Sequence, residues 1–206
     1  MHVWHEDADL LAVEKPAGRL AVPGRGEAGR DCLTADVAAR WPGALVVHRL
    51  DMATSGLMLF ARSAAVQRAL GDAFAARRVG KRYRAVVHGL VEEDTGEVEA
   101  PLAADWPNRP RQRIDRVHGR PSLTRWRVLA RDAAAARTHL ELEPLSGRTH
   151  QLRVHLASIG HPIVGDTLYG EAGAAGEPRL LLHASALAFA HPRDGRALAI
   201  ESPAPF

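Results

Sequence analysis

The sequence holds a single cysteine, Cys32, so no disulfide can form within the chain, and the paired cysteine spacing of a structural zinc site is missing. Cys32 is expected to be a small buried apolar residue. Long hydrophobic runs are missing too, since no stretch of about 18 apolar residues is present to span a bilayer. The opening segment MHVWHEDADLLAVEKP carries acids where a signal peptide needs a basic start and a long apolar stretch. A cytoplasmic protein with no membrane contact is expected. No internal repeat or low-complexity linker divides the chain, and 206 residues suit one domain over 1–206, with or without two lobes. With no long amphipathic surplus, the chain reads as a monomer. Lysine is scarce: among 27 basic residues only Lys15 and Lys81 are not arginine.

What is present begins with charge. The formal net charge is only +3, but it is unevenly spread. From 108 to 131 eight arginines face one acid, Asp115, and from 76 to 84 Arg77, Arg78, Lys81, Arg82 and Arg84 stand with no acid among them. The remainder of the chain is net negative. Concentrated positive charge favours a polyanion, because neutralising phosphates releases counterions and steers the encounter. The alternative is a pair of solvated faces.

Pattern and turn residues predict short strands at 3–6 and 10–14, then a helix at 32–40 capped by Asp31 and ended by Trp41-Pro42-Gly43. A strand at 57–61 precedes the clearest helix. It starts at Ser63, carries Val66, Ala69, Leu70, Ala73 and Phe74 on one face, and stops before Gly80. Further strands are expected at 82–88, 124–129, 139–143 and 180–190, with a helix from His150 to Ile159. Strands outnumber helices and come in groups. The fold class is therefore α+β with a mixed, mostly antiparallel central sheet, flanking helices and a cleft, not regular βαβ winding.

The chemistry-bearing residues gather in four segments. VVHRLDMATSGLMLFARS, residues 46–63, places Asp51 where a strand opens into a small polar loop, so the carboxylate can project while the strand fixes its backbone. A plain ion pair of Asp51 with Arg49, or a loop cap, is the competing reading. GKRYRAVVHG, residues 80–89, puts Tyr83 on one face of a strand with Lys81 and Ala85, and Arg82 and Arg84 on the other. PLSGRTHQLRVHLASIGHPIVGDTLYG, residues 144–170, sets Arg148 and Arg153 around a helix start. RLLLHASALAFAHP, residues 179–192, is an apolar strand with polar residues at intervals.

Together these segments resemble the motif set of the RluA-type RNA pseudouridine synthases. KPAGRLAVPGRG near the start and ADWPNRPRQR at 104–113 extend the likeness over nearly the whole chain, toward the small members that modify both ribosomal and transfer RNA. No S4-like RNA-binding module is expected. The resemblance implies the pseudouridine synthase fold and no cofactor. It makes Asp51 the catalytic carboxylate, Tyr83 the aromatic that stacks on the target uracil, and Arg153 the guanidinium that pairs with the carboxylate. It makes Arg49 the residue that fills the gap left by an extruded uridine, a role that competes with a structural ion pair.

Physical reasoning agrees with that set. Pseudouridylation breaks the bond from C1′ to N1, turns the base and joins C5 to C1′, without redox change or cosubstrate. A carboxylate can attack the sugar, attack the base or remove a sugar proton, and the sequence does not choose among these. A uridine within folded RNA must be extruded to be reached. Arg109, Arg111 and Arg113 are candidate phosphate contacts. Arg148 either pins a phosphate or shields carbonyls at the helix start. Leu181 and Leu182 form a pocket wall or plain strand core. The stretch 170–176 lacks a Walker-type lysine and reads as a loop.

The expected partner is RNA, in stem-loops of 23S ribosomal RNA, the transfer RNA anticodon arm or both. The runner-up is an RNA-binding or RNA-chaperone protein. A metal-dependent hydrolase rests on the eleven histidines alone, and the spacing of His150, His155 and His161 does not match a zinc hydrolase, so no metal is expected.

Overall fold

The computed structural model describes residues 1–24, 26–170 and 177–206. The loop expected at 170–176 lies outside the described residues except for Gly170. In chain order the elements are β1 (Val3–Glu6), β2 (Leu10–Lys15), α1 (Leu33–Arg40), β3 (Leu45–Val46), β4 (Ser55–Ala61), α2 (Ala64–Ala75), β5 (Gly80–His88), β6 (Thr95–Glu99), β7 (Leu102–Ala104), β8 (Gln112–Ile114), β9 (Leu123–Asp132), β10 (Arg137–Pro144), α3 (Gln151–Ser158), β11 (Leu182–Ala190) and β12 (Ala197–Glu201). The chain forms two compact units, Met1–Lys81 with His183–Pro205, and Arg82–Leu182 with Phe206.

In the first unit, β2 pairs antiparallel with both β1 and β4, β3 also pairs antiparallel with β4, and β12 does so with β11. β4 and β11 run parallel, His183 opposite Ser55 and Ala184 opposite Gly56. That approach explains the glycine of the D-M-A-T-S-G loop. Gly56 has φ +117°, and a Cβ there would lie 2.4 Å from the Ala184 carbonyl oxygen. The core of this unit is built by Leu10, Ala12, Leu57, Leu59 and Ala61 of the sheet, Val66 and Leu70 of α2, and Leu187, Phe189 and Ile200. Cys32 is fully buried, as expected.

Helix ends follow local chemistry. The Ser63 hydroxyl accepts the Val66 N–H and caps α2. The same helix closes on Arg77, not on Gly80. Arg77 adopts φ +58°, its N–H reaches the Phe74 carbonyl at 3.1 Å, and the Arg78 N–H reaches that of Ala73 at 2.8 Å, which is a Schellman closure. Gly80 begins β5 instead. The expected cap of α1 by Asp31 is not made: Cys32 occupies that position in extended conformation, while the Asp31 carboxylate accepts from Arg19 at 2.7 Å.

In the second unit β10 pairs antiparallel with β5 and β9, β9 with β6, and β7 with β8. Leu140, Leu142 and Leu156 are fully buried. One face of this sheet is laced by cross-strand ion pairs, Arg84 and Arg127 with Glu141 at 3.1 and 2.7 Å, and Arg125 with Glu97 at 3.4 Å. Arg131 meets Asp94 at 2.8 Å. The basic stretch 108–131 is therefore divided. Its β9 arginines are matched by acids that are distant in sequence but adjacent across strands.

Candidate active site

Asp51 stands between β3 and β4 in the first unit, in a turn whose backbone is fixed on several sides. The Thr54 N–H donates to the Asp51 carbonyl at 3.1 Å, and the Met52 carbonyl accepts from the Gly18 N–H at 2.9 Å. Lys15 is fully buried, and its ammonium donates to the carbonyls of Pro16, Arg19 and Met52 at 2.8, 2.7 and 2.9 Å. A buried cation with its protons given to three carbonyls holds the KPAG turn against the residue next to Asp51. Lys15 was not singled out by sequence reasoning. Its signal was a lysine ending an apolar strand just before Pro-Ala-Gly.

His48 and His183 make hydrogen bonds inside the first unit. The His48 Nε2 accepts the Leu59 N–H at 3.0 Å, and the ring stacks on Phe74 with centroids 4.6 Å apart. Burial, helped by the nearby Lys81 charge, pulls its pKa down to about 4, so the ring is neutral near pH 7. His183 lies between Ser55, at 2.8 Å from Nδ1, and Ser202, at 2.9 Å from Nε2. Because the Ser202 hydroxyl donates to Glu14, it accepts from Nε2. Arg49 is exposed.

In the second unit Tyr83 lies on β5 opposite Leu142, on the face away from the Arg84–Glu141 pair. Arg153 is buried on α3. Its Nε and Nη2 each donate at 2.7 Å to one oxygen of Asp166, a two-point fork with side-chain exposures of 4% and 0%. Asp166 Oδ1 also accepts the N–H groups of Leu168 and Tyr169. Burial raises the Asp166 pKa, but the Arg153 bonds and charge and the two backbone donors outweigh it and hold it below the usual carboxylate value. Asp166 therefore fixes the plane and rotamer of Arg153. Sequence reasoning did not single it out.

The motif around Arg153 is fixed by a chain of buried polar groups. Gln151 Nε2 donates to the Leu123 carbonyl and to Thr124 Oγ1, while its Oε1 accepts from Ser146 and from the Arg148 N–H. His155 donates from Nε2 to the Ala100 carbonyl, which leaves Nδ1 to accept the Thr124 hydroxyl. These residues position α3 against β9 and are structural. Arg148 has its Nε enclosed without an acceptor among the described residues. Leu181 and Leu182 are both buried, Leu181 packing with Val86, Val164 and Phe206.

Of the arginines proposed to meet phosphate, Arg109 stacks on Trp106 and Arg111 donates to the Leu168 carbonyl. Arg113 pairs with Asp115 at 3.1 Å. Among the described residues, one group of potential metal ligands converges, Asp7, Asp9 and His191 of the first unit. It is not the histidine set weighed from sequence. Both Asp9 oxygens accept from Arg193 at 2.5 Å, and Asp7 accepts the N–H groups of Asp9 and Leu10 and lies 2.8 and 3.1 Å from His5 and His191. With its oxygens so engaged, the group is a clamp between the β1–β2 turn and the β11–β12 turn.

The fold and the ordered motifs it carries define an RNA-modifying isomerase: a family model described as RNA pseudouridylate synthase matches residues 9–158, and the chain belongs to that family. Its relatives include proteins named dual-specificity RNA pseudouridine synthase RluA. The one from Vibrio cholerae is 47% identical over 192 residues, covering 93% of this chain and 78% of the relative. That from Escherichia coli K12 is 42% identical over 205 residues, covering 99% and 93%. Among solved structures, human RNA pseudouridylate synthase domain containing 1 superposes with a TM-score of 0.83 at 31% identity, over 99% of this chain and 83% of that one. The protein is an RNA pseudouridine synthase.

Proposed function

We propose that this enzyme converts uridines to pseudouridine in short stem-loops of 23S ribosomal RNA and of the transfer RNA anticodon arm. Asp51 is the catalytic carboxylate, Tyr83 the aromatic platform for the detached uracil, and Arg153 the third member of the set. Arg49 fills the gap left by the extruded base, Arg148 holds a phosphate, and Leu181 and Leu182 belong to the apolar wall of the pocket. The dual substrate follows from the names of relatives 42 to 47% identical over almost the whole chain. The whole of 1–206 acts as one catalytic domain, a reading supported by the family match running through both units.

One observation carries the assignment of Asp51. Its turn is held by backbone bonds and by Lys15, which fixes the position from which the carboxylate would act. A carboxylate presented on a rigid turn suits attack or proton removal at a bound nucleoside. The reaction requires no cofactor or metal, and the enzyme acts as a cytoplasmic monomer. No helix among the described residues is long and apolar enough to cross a membrane.

The test is to map pseudouridines across total RNA from cells with and without the protein, and to offer purified protein isolated stem-loops of both types. Loss of sites in both RNA classes and conversion of both free loops are expected. Activity on only one class would overturn the dual assignment.

A further inference from the structure

The arm formed by β7, β8 and the turns that follow, residues 101–120, carries an exposed aromatic that neither the fold nor the proposed catalytic set uses. Trp106 is 67% exposed, whereas Trp41 and Trp126 are 8% and 9% exposed and Trp4 is partly buried. An indole left in water forgoes a large burial gain, and this one stands on a rigid support. The support is rigid. The Asp105 N–H donates to the Arg111 carbonyl, the Asn108 N–H to that of Asp105 and the Arg111 N–H to that of Asn108, each at 3.0 Å. Arg111 donates to the Leu168 carbonyl, and the Gln112 N–H donates to the Tyr169 hydroxyl at 2.7 Å, so the arm is tied to the segment that holds Asp166.

One face of the Trp106 ring is covered by the Arg109 guanidinium, 3.3 Å from the ring centroid. The surrounding charge is positive: residues 101–120 contain five arginines and two aspartates. Both carboxylates already accept bonds within the arm, Asp105 from the Asn108 amide, and Asp115 from the Val117 and His118 N–H groups and Arg113. An aromatic face beside a planar cation, on an arm with more arginines than acids, has the chemistry that takes a nucleotide: a π-face for the base and a guanidinium for its phosphate.

We propose that Trp106 and Arg109 form a platform on which one unpaired base of the RNA stem-loop stacks, the guanidinium meeting that nucleotide's phosphate. The platform rests on the RNA-modifying function argued above, and it adds a specificity element for unpaired loops. Indole stacking accepts any base, so it selects an open loop over a duplex without reading sequence. Its fixed geometry also lowers the ordering cost of binding.

The test measures affinity of Trp106→Ala, Trp106→Phe and Arg109→Ala for a stem-loop, the same RNA with its loop locked into base pairs, and stem-loops with single abasic loop positions. Melting temperatures should match the parent protein. Trp106→Ala should weaken stem-loop binding about tenfold or more with an unchanged salt slope, and Trp106→Phe should recover most of the loss. Arg109→Ala should lower the salt slope by about 0.7. One abasic position should erase the difference between parent and Trp106→Ala. Unchanged affinity of Trp106→Ala, or an equal loss on the locked duplex, overturns the platform. The outcomes remain separable: stacking without any pseudouridine formation defeats the enzymatic reading alone, and intact turnover with unchanged Trp106→Ala affinity defeats the platform alone.

Discussion

Replacing Asp166 by asparagine should damage this protein more than its place in a surface turn sequence suggests. The substitution keeps volume and leaves an oxygen able to accept the Leu168 and Tyr169 N–H groups, but it removes a buried charge that faces Arg153. The two side chains are 4% and 0% exposed, so water cannot take over. Removing one partner of a buried pair typically costs about 3 to 5 kcal/mol, because the other charge is left uncompensated. Against a total stability of about 5 to 15 kcal/mol that is a large fraction. Urea unfolding followed by circular dichroism should show the midpoint fall at an unchanged slope. Turnover at a temperature where the variant is folded should fall too, with little change in RNA affinity, because Arg153 loses its fixed orientation. The double replacement Arg153→Met with Asp166→Asn, which removes both charges and keeps an acceptor for the two backbone N–H groups, should regain much of the stability and none of the activity. A loss below about 1 kcal/mol in Asp166→Asn would refute the reasoning, since such values belong to solvent-exposed pairs.

Three further outcomes follow from the same structure. The His48 pKa falls from 6.5 unfolded to about 4 folded. The unfolded chain therefore binds the extra proton, and stability should drop as pH falls from about 6.5 toward 4, by at most about 3 kcal/mol. His48→Gln should flatten that part of the pH–stability curve, and an unchanged curve would contradict a buried neutral ring. Gly56→Ala should destabilise by about 3 kcal/mol or more, or leave no folded protein, since it combines φ +117° with a backbone approach of 2.4 Å. A normal melting temperature would show the β4–β11 approach to be looser. In RNA binding, Arg116→Ala with Arg120→Ala should reduce the salt slope by about 0.7 to 0.9 for each phosphate no longer neutralised, while Arg125→Ala with Arg127→Ala should leave it unchanged. The reverse result would return the β9 arginines to the RNA surface.

Much of the fold was legible because its signals are local. The Ser63 cap and the apolar face of α2 foretold that helix, and strand-like runs at 124–129 and 139–143 marked β9 and β10. What escaped depended on partners distant in sequence. β6 reads as Thr-Gly-Glu-Val-Glu, a poor strand by composition. It forms because Gly96 lies beneath the Trp126 ring and Glu97 meets Arg125 across the ladder. The end of α2 was misplaced because an arginine, Arg77, takes the left-handed position that glycine usually fills. The divided fate of the 108–131 arginines had the same origin, since only strand register brings Glu97 and Glu141 to Arg125 and Arg127. For the candidate site, the motif residues Asp51, Tyr83 and Arg153 could be named from sequence, but their supports could not. Lys15 under the Asp51 turn and Asp166 behind Arg153 act through geometry that no spacing rule shows.

The central claim is that Asp51 performs the chemistry without holding the fold, and Asp51→Asn tests it directly when turnover, RNA affinity and melting temperature are measured on one preparation with a convertible stem-loop. No detectable pseudouridine is expected, with stem-loop affinity and melting temperature close to those of the parent. A folded Asp51→Asn protein that turns over normally, or one that simply fails to fold, would contradict it.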